Sequence, residues 1–140
     1  MIVGASDAHG RRILLTTSLV HLSNDACFAI LYPILPLIAA DLELSYAQVG
    51  LLKATMTAAQ SAFQVPAGMA GERFGEALVL LLGNAWVGLG LASLALAGGY
   101  LALLALALLA GLGGNAQHPI GSAIVSRAYQ RGRASTALGT

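Results

Sequence analysis

The chain has 140 residues, of which 57% are hydrophobic and 9% charged, whereas a soluble domain carries about a quarter of charged residues. Seven Lys or Arg and six Asp or Glu leave a net charge of +1, too few charges to clothe a water-facing surface of this size. No basic run or basic-aromatic patch points to nucleic acid as a partner, and the single cysteine, Cys27, excludes an intrachain disulfide.

Residues 1–12 read as a short polar tail. The first apolar segment covers about residues 13–40 and holds Asn24, Asp25, Pro33 and Pro36. It is longer than the 7–15-residue apolar region of a secretory signal, so a retained membrane helix is expected. The second segment covers about residues 46–69, with Ser45 in position to cap its N-terminus. The third covers about 77–97 and ends at Gly98-Gly99; the fourth covers about 100–126 and contains Pro119. Each reaches the roughly 20 residues that a spanning helix needs. Together they predict an all-α membrane protein with four transmembrane helices across residues 13–134. A further apolar stretch opens at Ser135 and reaches Thr140, where it reads as the start of a truncated fifth helix.

The connectors are short, which makes successive helices antiparallel neighbours. Arg11, Arg12, Arg73, Arg127, Arg131 and Arg133 then all fall on one side of the bilayer. The excess of Lys and Arg in cytoplasmic loops places both ends in the cytoplasm and the chain in the cell's inner or plasma membrane, as a multi-pass protein. The abundant small residues, including 17 glycines, suit close helix packing in lipid.

Ionisable groups at membrane depth cost roughly 2.5–3.5 kcal/mol on insertion scales, so each marks a candidate function. Asp25 lies about 20 Å past Arg12 along the first helix, near the midplane, with His21 one turn closer to the cytoplasm on the same face. Counted back from Arg127, His118 and Asn115 lie at about 14 and 18 Å depth. If the first and fourth helices are neighbours, His21, Asp25, Asn115 and His118 form one polar cluster. Asn24 and Gln117 flank it, and Pro119 frees a carbonyl near Asn115. These six residues are the candidate substrate and proton pathway; packing hydrogen bonds between helices are the plainer reading of the same groups. Lys53, about 12 Å below the outer surface, either pairs with Asp25 or reaches up toward Asp41 and Glu43. Gln60 and Gln64 either face the cavity or bond in packing. At the cytoplasmic rim Glu72 is expected to pair with Arg127 as a gating contact. Two membrane-depth histidines fall short of the three or four ligands of a zinc site, and no nucleophile–base pair supports catalysis. No metal, cofactor or enzymatic activity is expected.

The stretch Gly68-Met-Ala-Gly-Glu72-Arg73-Phe-Gly75-Glu76-Ala77 resembles the loop signature of the major facilitator superfamily. Gly68, Glu72, Arg73 and Gly75 match it; Glu76 and Ala77 stand where a basic pair is usual. His21-Leu-Ser-Asn24-Asp25, the run Leu44–Leu52, and Gly111–Tyr129 extend the resemblance to that superfamily's fosmidomycin-resistance-like branch, whose members are drug or metabolite efflux proteins. The resemblance implies a twelve-helix transporter built from two six-helix halves of inverted three-helix repeats. This chain would hold helices one to four, with the remaining helices as its missing partners. It also implies a lipid bilayer, a small-molecule substrate and protons as partners, in proton-coupled efflux. The arginine that many proton-coupled exporters of the family carry before a Gly-x-Gly in helix four falls at Ala107, so that relay does not carry over. Two other classes fit four helices: a complete small multidrug exporter acting as a dimer, and a membrane assembly subunit without transport activity.

Overall fold

The computed structural model describes residues 5–129. They form four antiparallel helical rods, and no strand occurs among them. The first rod is α1 (Ala5–Ala29) followed by α2 (Leu31–Asp41). The second is α3 (Tyr46–Ala62) and α4 (Gln64–Phe74). The third is α5 (Glu76–Ser93), ending in a 3-10 turn at Leu94–Leu96. The fourth is α6 (Tyr100–Gly113), a 3-10 turn at Gly114–Ala116, and α7 (Gln117–Ala128).

Proline places the breaks. The first rod is interrupted at Ile30, the second at Phe63, and the fourth at Gly114–Ala116, each just three residues ahead of Pro33, Pro66 or Pro119. A proline lacks the N–H that would bond four residues back, and its ring crowds that carbonyl. The carbonyls of Ala29, Ala62 and Asn115 therefore lose their helical partners. The third rod contains no proline and runs unbroken through α5. Pro36, by contrast, is accommodated inside α2.

Caps and glycines set the ends. The Ser45 side chain accepts from the backbone N–H of Gln48 at 3.3 Å, and Gln48 Oε1 accepts from the Ser45 N–H at 2.8 Å. This reciprocal box satisfies two of the donors that a helix start leaves open. The second rod runs five residues beyond the expected end, through Phe74, so most of the stretch read as a loop is helical. Only Gly75 turns the chain, with a φ of +98° that side chains rarely adopt. The first rod also begins earlier than residue 13. Its added turns are packed: a Cβ on Gly10 would lie 3.3 Å from the Ala128 carbonyl at the end of α7. The stretch from Ser135, with Arg131 and Arg133, lies outside the described residues.

The core sits between the second and fourth rods, where Leu52, Met56, Leu103, Ala107 and Ala110 are fully enclosed and α2 adds Leu31 and Leu35. At Gly111 the rods come so close that a Cβ would lie 2.6 Å from the Met56 carbonyl oxygen. A smaller cluster of Leu80, Ala116 and Ile120 joins the third and fourth rods near the other end. Outside, large apolar side chains such as Leu19, Leu37, Leu81, Leu89 and Leu101 stand exposed, while Asn24 and Gln117 are buried. This is the inside-out distribution that a hydrocarbon solvent permits. Three helical stretches, His9–Asp41, Glu76–Leu96 and Tyr100–Ala128, are long and apolar enough to cross a membrane. The second rod is broken at Phe63 and carries Lys53 and five other glutamine or charged positions (Gln48, Gln60, Gln64, Glu72, Arg73), which lower its apolar character.

Candidate functional site

The polar groups gather where α1 meets α7 and faces α3. His21 and Asp25 are one turn apart on α1, and His21 Nε2 lies 3.3 Å from Asp25 Oδ2. The His118 ring, brought in by α7, meets the His21 ring edge-on, with centroids 5.1 Å apart and planes at 73°. His21, Asp25 and His118 thus form one continuous group across the helix seam. The break before α7 positions His118, because it lies on the first turn after the 3-10 segment. Asn115 lies within that segment, but its side chain is outside the described residues.

Two recesses open on this group. One, of about 410 Å³, is lined by Asp25 and His118 together with Tyr32, Lys53, Gln60 and Gln64. The other, of about 400 Å³, lies between α1 and α7 and is lined by Ser18, His21, Asp25, Gln117, His118 and Ser122. Asp25 and His118 line both, so they stand where the two spaces adjoin.

Other expected members behave differently. Asn24 also lines the larger recess but is 3% exposed and bonds to the third rod, donating from Nδ2 to Asn84 Oδ1 at 3.4 Å. Asn84 Nδ2 in turn donates to Ser23 Oγ at 3.0 Å. This three-residue chain ties α1 to α5, the role of interhelical polar glue. Gln117 is also 3% exposed, and among the described residues neither its Oε1 nor its Nε2 has a hydrogen-bond partner. Lys53 makes neither of the contacts expected for it. Its Nζ rests 4.4 Å from the centroid of the Tyr32 ring, a cation–π contact between α3 and α2. Thr57 and Ser61 join Gln60 and Gln64 on the wall of the larger recess. The sequence reading omitted these two and Asn84. The first pair was readable in principle, because Lys53, Thr57, Gln60, Ser61 and Gln64 share one face at helical spacing; Asn84, an isolated amide in α5, carried no such signal.

The rim contact is corrected. Arg127 bonds Glu76, not Glu72. Gly75 ends α4 and α5 starts at Glu76, so the turn sets Glu76 against the end of α7, while Glu72 stays on the exposed face of α4. Arg73 stacks toward the Phe74 ring, 5.7 Å from its centroid. Of the loop signature, Gly68 lies 3.9 Å, measured from an added Cβ, from Pro119 Cβ, and Gly75 makes the turn. Among the described residues no group of three His, Cys, Asp or Glu is placed to hold a metal.

Apolar rods, three of them long and apolar enough to span a bilayer, around a polar seam on broken helices are those of an integral membrane protein. The chain belongs to the Major Facilitator Superfamily, whose family model matches residues 6–140. That is a family of membrane transporters, not of enzymes. Among curated proteins the chain is 33% identical over 116 residues to the Fosmidomycin resistance protein of Escherichia coli (strain K12), a match covering 83% of this chain and 29% of that protein. The chain therefore spans less than a third of its relative's length. No solved structure matches it.

Proposed function

We propose that the chain forms the first four membrane helices of a proton-coupled exporter of small drug-like molecules or metabolites. Its ends face the cytoplasm and all four rods cross the bilayer. The proton is carried by Asp25, with His21 as its partner, and the substrate passes along the recesses that Asp25 and His118 share. The further helices of the same transporter complete the cavity.

The observation that carries this reading is the Asp25–His21–His118 group at the junction of two recesses. A carboxyl at membrane depth is expensive, and one kept there marks a pathway by default. Its 59% side-chain exposure leaves it open to the cavity face rather than sealed by packing. His21 Nε2, at 3.3 Å, is the polar group within hydrogen-bond reach of it. The relative's name makes fosmidomycin a rational probe. In everted membrane vesicles from cells expressing the gene that encodes this chain, an imposed pH gradient should drive fosmidomycin uptake. Asp25→Asn, expressed to the same level, should abolish the gradient-driven part. Undiminished gradient-driven uptake in that variant would sink the assignment.

A further inference from the structure

The last segment of the fourth rod, α7, joins α6 through the 3-10 turn at Gly114–Ala116. Such a break lets about 18 Å of helix pivot as a unit. Toward α1 this segment turns a buried stripe of Gln117, Gly121 and Val125, spaced four residues apart, and all three line the recess between α1 and α7. Contact closes the stripe: a Cβ on Gly121 would lie 3.2 Å from Thr17 Cγ2, and one on Gly10 would lie 3.3 Å from the Ala128 carbonyl. Ser18 and Ser122 are the exposed lip of the same recess, and Asp25 and His118 line its end nearest the break.

One member of the stripe works against this closure. Gln117 is buried, and among the described residues its Oε1 and Nε2 are both unbonded. An amide brings an acceptor and two N–H donors. Leaving such a group unmet in a packed site biases an opening equilibrium by roughly five- to hundredfold. The recess beside it has about 400 Å³ and a wall of hydroxyl and imidazole groups, polar and roomy enough for water. Parting α7 from α1 hydrates the amide, and repacking strips it again. Close packing holds helices together in lipid, so a seam shut by two glycine contacts and opposed by a stripped amide is poised between two states.

We infer that α7 swings on the break at Gly114–Ala116 to admit water between itself and α1, and that the unmet Gln117 amide sets how often this seam opens. The inference rests on the transporter reading above for the role of Asp25 and for the cytoplasmic end of α7. It adds to that reading a gate inside the four-rod unit, through which water reaches Asp25 from the cytoplasmic end. Gln117 is a positioning residue here: it acts through the stance of α7 and not by contact with the transported molecule.

The test reads water access at the seam and needs neither gradient nor substrate, so it fails separately from the coupling experiment. In the gene's full product freed of native cysteines, Cys27 included, Val125→Cys places a thiol in the buried stripe. Its alkylation by N-ethylmaleimide is followed in phosphatidylcholine vesicles, because the reactive thiolate forms only where water reaches it. Gln117→Met should slow this alkylation at least fivefold, and Gln117→Asn, which keeps the amide, should leave it within twofold. Ser122→Cys, on the exposed lip, should react at the same rate with and without Gln117→Met. Gly121→Leu drives a side chain against Thr17, so it should speed alkylation of Val125→Cys at least fivefold. That wedge decides the matter even where Gln117→Met is poorly expressed. An equal or faster rate at Val125→Cys with Gln117→Met, equal slowing by Gln117→Asn, equal slowing at Ser122→Cys, or an unchanged rate with Gly121→Leu overturns the gate.

Discussion

Consider alanine in place of Gly111, at the closest approach of the second and fourth rods. The added Cβ would stand 2.6 Å from the Met56 carbonyl oxygen and 2.9 Å from Ala59 Cβ. Carbon–oxygen contacts between helices settle at about 3.3–3.6 Å, so the rods must part by about 0.7 Å. Neither neighbour is the free end of a flexible side chain, and no rotamer change relieves the clash. Overpacking of this kind costs about 1–3 kcal/mol, and in hydrocarbon the lost close packing has no hydrophobic gain to offset it. Alanine recovers about 0.5–1 kcal/mol of helix-interior preference over glycine. The net expectation is destabilisation by about 1–2 kcal/mol. Gly88 is the control: it sits in α5, exposed, with nothing within 4 Å of an added Cβ. Gly88→Ala should retain only the propensity gain and stabilise by about 0.5–1 kcal/mol. Thermal melting of the gene's product in detergent, followed by far-UV circular dichroism, should move the two variants in opposite directions. If Gly111→Ala melts with or above the parent, the close-packed seam is not what holds these rods together.

Two further outcomes follow from the same structure. Gln117→Met keeps side-chain length while removing two buried polar atoms that have no partner among the described residues. It should raise the melting midpoint, since an unsatisfied buried group costs about 1–3 kcal/mol, and a lowered midpoint would mean that the amide is satisfied in the folded membrane protein. Arg127→Gln removes the pair with Glu76, whose partners are 61% and 24% exposed. The stability change should stay within about 1 kcal/mol, and a loss several times larger in the same melt would show that the contact holds the fold and is more than a surface pair.

Much of this protein is legible along the chain because lipid imposes a simple rule. Backbone in hydrocarbon must satisfy its own hydrogen bonds, so long apolar stretches are helices. Scarce polar residues inside them are therefore conspicuous. The Ser45 cap was likewise local, a serine with glutamine three residues on. Counting at 1.5 Å per residue also put His21 and His118 at similar heights, while their meeting needed the first and fourth rods to be neighbours. Even the helix breaks had their causes in view at Pro33, Pro66 and Pro119, although their consequence needed the coordinates.

What the linear order could not decide was azimuth, the direction in which each side chain faces around its rod. Asn24 and Asp25 are adjacent in sequence and about 100° apart on the helix. Both line the larger recess, but packing buries Asn24 in a bond to Asn84 and leaves the Asp25 side chain exposed beside His21. Lys53 had two plausible charged destinations, and the approach of α2 gave it Tyr32 instead. Glu72 and Glu76 lie on either side of Gly75, and the turn there gives Glu76 the contact with Arg127. Composition and periodicity set which stretches lie in the bilayer and how deep their polar groups sit, because those depend on solvent and rise per residue alone. Which polar groups touch depends on how close one rod approaches another, and only the packed tertiary structure determines that.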